Sequence, residues 1–428
     1  MPERVRVTDG TLRPRPWRIA AWCFYDWANS AYPTVISTFV FATYFTQGVA
    51  PDPVTGASRW GIGMAIAGLF VGILSPIFGA IADRTGGRRI WLAAFTILAA
   101  LAAASLWTVE PDPSFMTRAL VLVIAGTVCF ELGTVFYNAM LPGLAPAAMI
   151  GRISGWGWGL GYIGGLFCLV ACLALIQAKP PPFGLAEGNA EAVRATSVLV
   201  AVWYAGFALP LLFAVPGEKG AGMGIVAAVR EGIGAILRLL PELRGEPVIL
   251  RFLIARLLYA EGLNTLFAFG AIYAAGTFGM DTEEVIRLGI AINVTAGLGA
   301  ALFAFADDRF GSRAVVLVSV LSLMVIGALM LLVTSTTAFW VLALALGIFF
   351  GPAQAASRTL MGRLAPADKR GEYFGLFALT GRAVSFIGPA ALAIATAAFD
   401  SQRAGMATVL VFLGAGAALL WTVRVPQR

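Results

Sequence analysis

The stretch Tyr25-Asp26-Trp27-Ala28-Asn29-Ser30-Ala31-Tyr32-Pro33 lies inside an apolar run, 17–45, long enough to cross a bilayer. Asp26, Asn29 and Ser30 stand at i, i+3 and i+4, so a helix sets an acid, an amide and a hydroxyl on one face. A carboxylate in hydrocarbon is costly unless it meets a cavity or a partner, which marks this face as one turned toward protein. The same pattern returns far along the chain as Glu261-Gly262-Leu263-Asn264-Thr265, again in apolar surroundings.

Working outward, the composition fixes the class. Of 428 residues, 59% are apolar and 12% charged, where a soluble domain carries roughly 25% charge. The mean hydropathy is +0.84. Runs of about 20 apolar residues, the length of a membrane-crossing helix, fall near 17–45, 60–82, 90–109, 117–141, 153–176, 196–215, 248–277, 285–306, 314–333, 339–359, 373–397 and 404–423. The expectation is an all-α membrane protein of twelve transmembrane helices. Pro33, Pro76 and Pro210 lie inside runs and predict kinks. The first run is too long for a signal-peptide core and is read as a retained span.

Basic residues collect on one side: the N-terminal arginines, Arg84, Arg88, Arg89, Arg152, the loop with Lys219 to Arg244, Arg309, Arg313, Arg363, Lys369, Arg370 and the C-terminal arginines. The positive-inside rule places that side, and both termini, in the cytoplasm, and for this composition points to the cell (inner) membrane. The net charge of +7 therefore reports topology, and no nucleic-acid partner is implied. There is no histidine, which excludes imidazole metal sites and leaves any proton chemistry to carboxylates. Cys23, Cys129, Cys168 and Cys172 sit in apolar runs as small hydrophobes. No metal or cofactor is expected. With no GxxxxGK[ST] string and no large soluble segment, an enzyme or primary pump is not expected either.

The chain also repeats itself. Asp83-Arg84-Thr85-Gly86-Gly87-Arg88 after the second span returns as Asp308-Arg309-Phe310-Gly311-Ser312-Arg313 after the eighth. Leu144-Ala145-Pro146 with Gly151 and Gly155 returns as Leu364-Ala365-Pro366 with Gly371 and Gly375, the offsets between copies falling from 235 to 225 to 220 residues. Two halves of six spans in parallel register predict a pseudo-two-fold axis along the membrane normal and a site between the halves. The boundaries expected are a tail 1–16, a first half 17–215, a linker 216–247 with an amphipathic stretch near 225–240, a second half 248–423 and a tail 424–428.

The two Asp-Arg-x-Gly-x-Arg turns resemble the signature loop of the major facilitator superfamily, in which a glycine precedes the Asp by four residues; Gly79 does so here and Ala304 replaces it in the second copy. The strings YDWANSAYPTV (25–35), FYNAMLP (136–142), GRISGWGWGLGYIGG (151–165) and GPAQAASRTLMGRLAP (351–366) resemble the vacuole-effluxer-like branch of that superfamily. The resemblance implies a major facilitator fold and a secondary transporter, with amino-acid efflux as the substrate class.

The residues themselves nominate a site. Tyr25, Asp26, Asn29 and Tyr32 come from the first span and Thr127, Glu131 and Asn138 from a stripe on the fourth; the fifth adds Trp156, the seventh Glu261 and Asn264, and the eleventh Arg382. Acids, a cation, amides and aromatics near the midplane suit a zwitterion, with Asp26, Glu131 and Glu261 as the groups that can carry a coupled proton. Arg382 as a structural partner of Glu261 or Glu131 stays open, as do the asparagines as interhelical glue and the tryptophans as packing. Gln354, Ser357 and Arg358, near the inner end of the tenth span, read as a gate or clamp, and Arg256 as a side chain reaching the basic surface. Gly79, Asp83, Arg84, Arg88, Asp308, Arg309 and Arg313 form the expected conformational gate. The partners implied are a small-molecule substrate, the bilayer and protons, with a monomer expected. An exporter of drug-like or lipid-like amphiphiles, or a non-transporting sensor, remains the alternative.

Overall fold

The computed structural model describes residues 15–186, 189–215, 227, 230, 234, 241–280, 282–382 and 387–424; the side chains of Thr282, Glu283 and Arg382 lie outside that description. The expected amphipathic stretch near 225–240 falls almost wholly outside it. Every regular element among the described residues is helical. Among the described residues ten helices are long and apolar enough to cross a membrane. Of the two other expected spans, the first is built from several helical pieces and the eleventh is described in two pieces on either side of residues 383–386.

The first span begins as Pro16–Asn29 and continues through wider π-helical turns at Tyr32–Phe39 and Phe45–Val49. Pro33 stands at the start of the first of these, where its missing N–H breaks the regular ladder and a wider turn absorbs the mismatch. Pro76 and Pro210 lie inside the continuous helices Pro53–Thr85 and Glu191–Ala214. Of the eleventh span, the structure describes Arg370–Arg382 and Ile387–Phe399.

Caps set the ends where the sequence supplies them. The carboxylate of Asp52 accepts from the N–H groups of Val54 and Thr55, and the hydroxyls of Ser335 and Ser401 do the same for the tenth and twelfth spans. Gly86 and Gly311, the glycines of the two Asp-Arg-x-Gly turns, both have positive φ, 65° and 86°. A side chain there would be strained, so the repeated glycine is a conformational requirement of the turn.

Two hydrophobic cores match the two halves. One is built wholly from residues between Ile19 and Leu211, the other from residues between Leu243 and Val423 with Val135 and Ala139 of the fourth span. The halves meet chiefly where the second span packs on the first piece of the eleventh, and where the fifth packs on the eighth. These two contacts are equivalent under the internal repeat, and both include the basic ends of the helices.

Candidate functional site

A cavity of about 640 Å³ lies between the halves. Its floor holds Asp26, Asn138 and Arg358, and its walls run away from the basic side as far as Phe39, Met64 and Ile286. Asn29, Thr127, Glu131 and Asn264 line it, as do Trp158, Arg256 and Gln354. The stripe Thr127, Glu131, Thr134 and Asn138, at helical spacing on Met116–Met140, forms one continuous wall.

Several side chains nominated from sequence lie elsewhere. Tyr25 neighbours Asp26 in the chain but points about 100° away around the helix; it is fully buried and shares hydrogen bonds with Thr96 (2.7 Å) and Tyr204 (2.9 Å) inside the first half. Tyr32 is likewise buried, donates to the carbonyl of Val123 and stacks on Phe130. Trp156 is 38% exposed and meets Phe305 edge-on, because i+2 from Trp158 is the opposite side of the helix. Glu261 is 1% exposed and takes the N–H of Gly388, 2.9 Å away, at the start of the second piece of the eleventh span; it does not line the cavity. Asn264 does, and donates to the carbonyl of Gly381 at 3.2 Å. The side chain of Arg382 lies outside the described residues.

Two arginines take places that spacing did not suggest. Arg256 reaches the cavity rather than the basic surface, lying 3.5 Å over the Phe377 ring while its Nη1 donates to Phe377 O and Thr380 Oγ1, both at 2.6 Å. Arg358 is 3% exposed. Its Nη1 donates to Asp26 Oδ2 at 3.0 Å and Asn138 Oδ1 at 3.4 Å, its Nε to Ser154 Oγ at 2.9 Å and its Nη2 to Ser154 O at 2.7 Å. The rings of Trp22, Tyr137 and Trp158 lie 4.7, 5.5 and 5.7 Å from the guanidinium carbon. A charge so buried requires such a set of partners. The only sequence clue was a basic residue six positions inside the end of an apolar helix.

Nearer the basic surface, the gate residues form two latches. Asp83 accepts from the backbone N–H groups of Gly371 (2.9 Å) and Glu372 (3.0 Å), which begin the eleventh span, and from Arg88 Nη2 at 2.6 Å. Asp308 accepts from the N–H groups of Gly151 (2.9 Å) and Arg152 (3.3 Å), which begin the fifth span, and from Arg152 Nε at 2.6 Å. Each Asp thus caps a helix of the opposite half, where unsatisfied N–H groups and the helix dipole both favour a negative charge. Arg84 Nη1 lies 4.0 Å from Glu372, across the same boundary. Gly79 passes so close that a Cβ on it would strike the backbone of Gly371. Arg313 stays within its own half, donating to Leu420 O and Trp421 O at the end of the twelfth span, and Arg309 lies over the Phe310 ring.

A mixed-charge cavity thus lies between two repeated bundles, shut on the basic side by reciprocal caps. The family model described as "Vacuole effluxer Atg22 like" matches residues 48–428. The chain belongs to the Atg22-like family. Among curated proteins, this Atg22-like chain is 25% identical over 402 residues to the "uncharacterized MFS-type transporter YxiO" of Bacillus subtilis, covering 92% of the chain and 90% of the relative. It is 26% identical over 282 residues to "Autophagy-related protein 22" of Cryptococcus neoformans, covering 61% of the chain and 48% of that longer protein. Among solved structures it resembles the proton:xylose symporter XylE (TM-score 0.72, 14% identity, 95% of each chain) and the human organic anion transporter MFSD10 (TM-score 0.73, 14% identity, 96% and 100%). It also resembles a bacterial ferroportin homologue in its outward-facing state (TM-score 0.69, 15% identity, 96% and 100%). The Atg22-like protein is therefore a multi-pass secondary transporter of the major facilitator superfamily, with a small-molecule substrate, and not an enzyme.

Proposed function

We propose that this protein moves an amino acid across the cell membrane by alternating access, as an efflux-type carrier coupled to protons, with both termini cytoplasmic. The observation that carries this reading is a cavity whose wall bears charges of both signs, Asp26 and Glu131 facing Arg256 and Arg358. A zwitterion carries charges of both signs that such a wall can match, whereas a sugar or a lipid tail carries neither. Closed latches on the basic side correspond to an outward-facing state. Asn29, Thr127, Asn138 and Asn264 supply hydrogen bonds to the ligand, and Arg256 and Arg382 are the arginines proposed for its carboxylate. The description of the family model as a vacuole effluxer supports efflux, and the symporter neighbours support protons as the coupling ion, with Asp26, Glu131 and Glu261 as the candidate carriers.

The test is stabilisation of the purified protein by each amino acid against its methyl ester, since a ligand raises apparent stability by RT ln(1 + [L]/Kd). An amino acid should bind about tenfold or more tightly than its ester, and Arg256→Lys or Arg382→Lys should erase the difference, because Lys lacks the planar two-pronged contact. Equal binding of acid and ester removes the carboxylate from recognition. In proteoliposomes the flux should follow an imposed pH gradient. Flux indifferent to the gradient, in wild type and in Asp26→Asn, Glu131→Gln and Glu261→Gln alike, refutes proton coupling.

A further inference from the structure

The partners of Arg358 all belong to one side. The arginine stands on the tenth span, in the second half, while Asp26, Asn138, Ser154, Trp22, Tyr137 and Trp158 all stand in the first. The guanidinium of one half is thus plugged into a socket in the other. The socket is held together without it: Trp22 Nε1 donates to Tyr137 O at 3.0 Å, Tyr137 Oη donates to Trp22 O at 3.1 Å, and the two rings stack at 4.4 Å. Gly157 leaves the room for it, since a Cβ there would strike Asp26 Oδ2 and crowd Trp22 and Arg358.

This plug lies between the cavity and the latches. Ser154 is four residues from the start of the fifth span and Arg358 six from the end of the tenth, both ends being on the basic side. When the cavity opens to that side, the halves part here and the plug must leave. What remains in the first half is a carboxylate beneath three aromatic rings with an amide and a carbonyl oxygen beside it. That is the chemistry that recognises an ammonium or guanidinium group. A buried carboxylate left without a cation is strongly disfavoured, so parting is slow unless another cation takes the socket. Asp26 also lines the cavity, so a ligand there reaches the same carboxylate.

We infer that the socket vacated by Arg358 is the binding site for the substrate's cationic group, so that an ammonium or guanidinium is the obligatory part of the substrate and, where no pH gradient supplies a proton to Asp26, the carrier turns over by exchange. The inference rests on the alternating-access reading above and deepens it, making the amine the end that opens the gate. Asp26 holds the cation, the rings of Trp22, Tyr137 and Trp158 cover it, and the released Arg358 is free to follow the substrate's carboxylate.

The experiment has two arms. Wild-type proteoliposomes are loaded with radiolabelled amino acids, and with the same neutral pH on both sides exit is followed into empty medium and into medium holding an amino acid, its decarboxylated amine or its deaminated acid. Amino acid and amine should drive exit at least about a hundredfold faster than the deaminated acid or empty medium, as expected where a site is built around one polar group. Exit just as fast into the deaminated acid or into empty medium overturns the inference while leaving an amino-acid carrier intact. No exit under any condition removes the amino-acid reading, and the second arm then decides the socket. There, methylguanidinium should raise the unfolding temperature of Arg358→Ala but not of the double variant Asp26→Asn/Arg358→Ala; equal response of the two, or none, overturns the socket. If Arg358→Ala does not fold alone, it is expressed and purified with methylguanidinium present, which should restore a folded protein by filling the socket; no rescue overturns the socket.

Discussion

The two latches are built to one plan and differ in how their arginines are placed. In both, an Asp at the end of an even-numbered span caps a helix of the opposite half through two backbone N–H groups, and the receiving residue is a glycine, Gly371 or Gly151. In the first, the arginine on the Asp is Arg88, from the same half, and Arg84 reaches Glu372 of the other half at 4.0 Å; in the second, Arg152 comes from the other half at 2.6 Å and Arg363 from the same half at 3.5 Å. Opening the first latch keeps the pair on its Asp and breaks only the long Arg84–Glu372 contact, whereas opening the second breaks a close pair on the Asp itself. Sequence alone ranked them the other way, because the second copy has Ala304 where the first has Gly79. That alanine is tolerated because it faces Gly155, whose missing side chain makes the room. The closeness of a match to a motif and the strength of the contact it makes are separate quantities.

The largest effect that can break this comparison comes from the receiving glycines. A Cβ at Gly371 would strike the backbone carbonyl of Gly79 as well as the Asp83 carboxylate, whereas one at Gly151 would strike only side-chain atoms of Asp307 and Asp308, which have more room to yield than backbone has. Overpacking of a fixed backbone costs about 1–3 kcal/mol. Gly371→Ala should therefore favour the state open on the basic side by about tenfold or more, and Gly151→Ala by less. Alkylation of a cysteine placed at Ala355, buried between the halves, in a background lacking the four native cysteines, measures this shift. Equal rates for the two variants would show that side chains and backbone yield alike.

A smaller effect sharpens the difference between the acids. Asp308→Asn removes the charge from two caps and from a bond between halves, and charge-assisted bonds are worth about 1.5–3 kcal/mol. The same reporter should react about tenfold faster in Asp308→Asn and only a few-fold faster in Asp83→Asn. The reverse order would mean that Arg88 and Arg84 carry more of the closure than their geometry indicates.

The smallest effect isolates the arginines. Arg152 is partly exposed at the latch, so Arg152→Gln should loosen closure by about 0.2–1 kcal/mol, and added salt should mimic it in wild type. Arg88→Gln should leave the salt dependence unchanged, since its pair with Asp83 does not cross between halves. Matching salt curves for both variants would refute that distinction.

Much of the architecture was legible. Apolar run length fixed the spans, and the repeats placed Asp83 and Asp308, and Gly151 and Gly371, at equivalent points of the two halves. What the repeats could not say is that the Asp of one echo meets the glycine of the other, since matching strings mark equivalence and not contact. The stripe on the fourth span shares a cavity wall because i, i+4, i+7 and i+11 share a helix face. Tyr25, Tyr32 and Trp156 were drawn in by nearness along the chain, which a helix turns into divergence. Arg358 read as a gate or clamp, but not its partner, because Asp26 is 332 residues away and no local pattern marks the pair. Trp22, Tyr137 and Trp158, its aromatic neighbours, read as ordinary apolar filling.

The separation of the packed interior into two cores has a consequence for how the molecule is made. The first half encloses its own core, so it can consolidate while the second is still on the ribosome, as folding units generally do during synthesis; the second core is completed only by Val135 and Ala139 of the first. The surfaces left for the final docking then include two aspartates, two helix starts and one arginine seeking its socket. Assembly of this transporter ends with the same motion that its working cycle repeats.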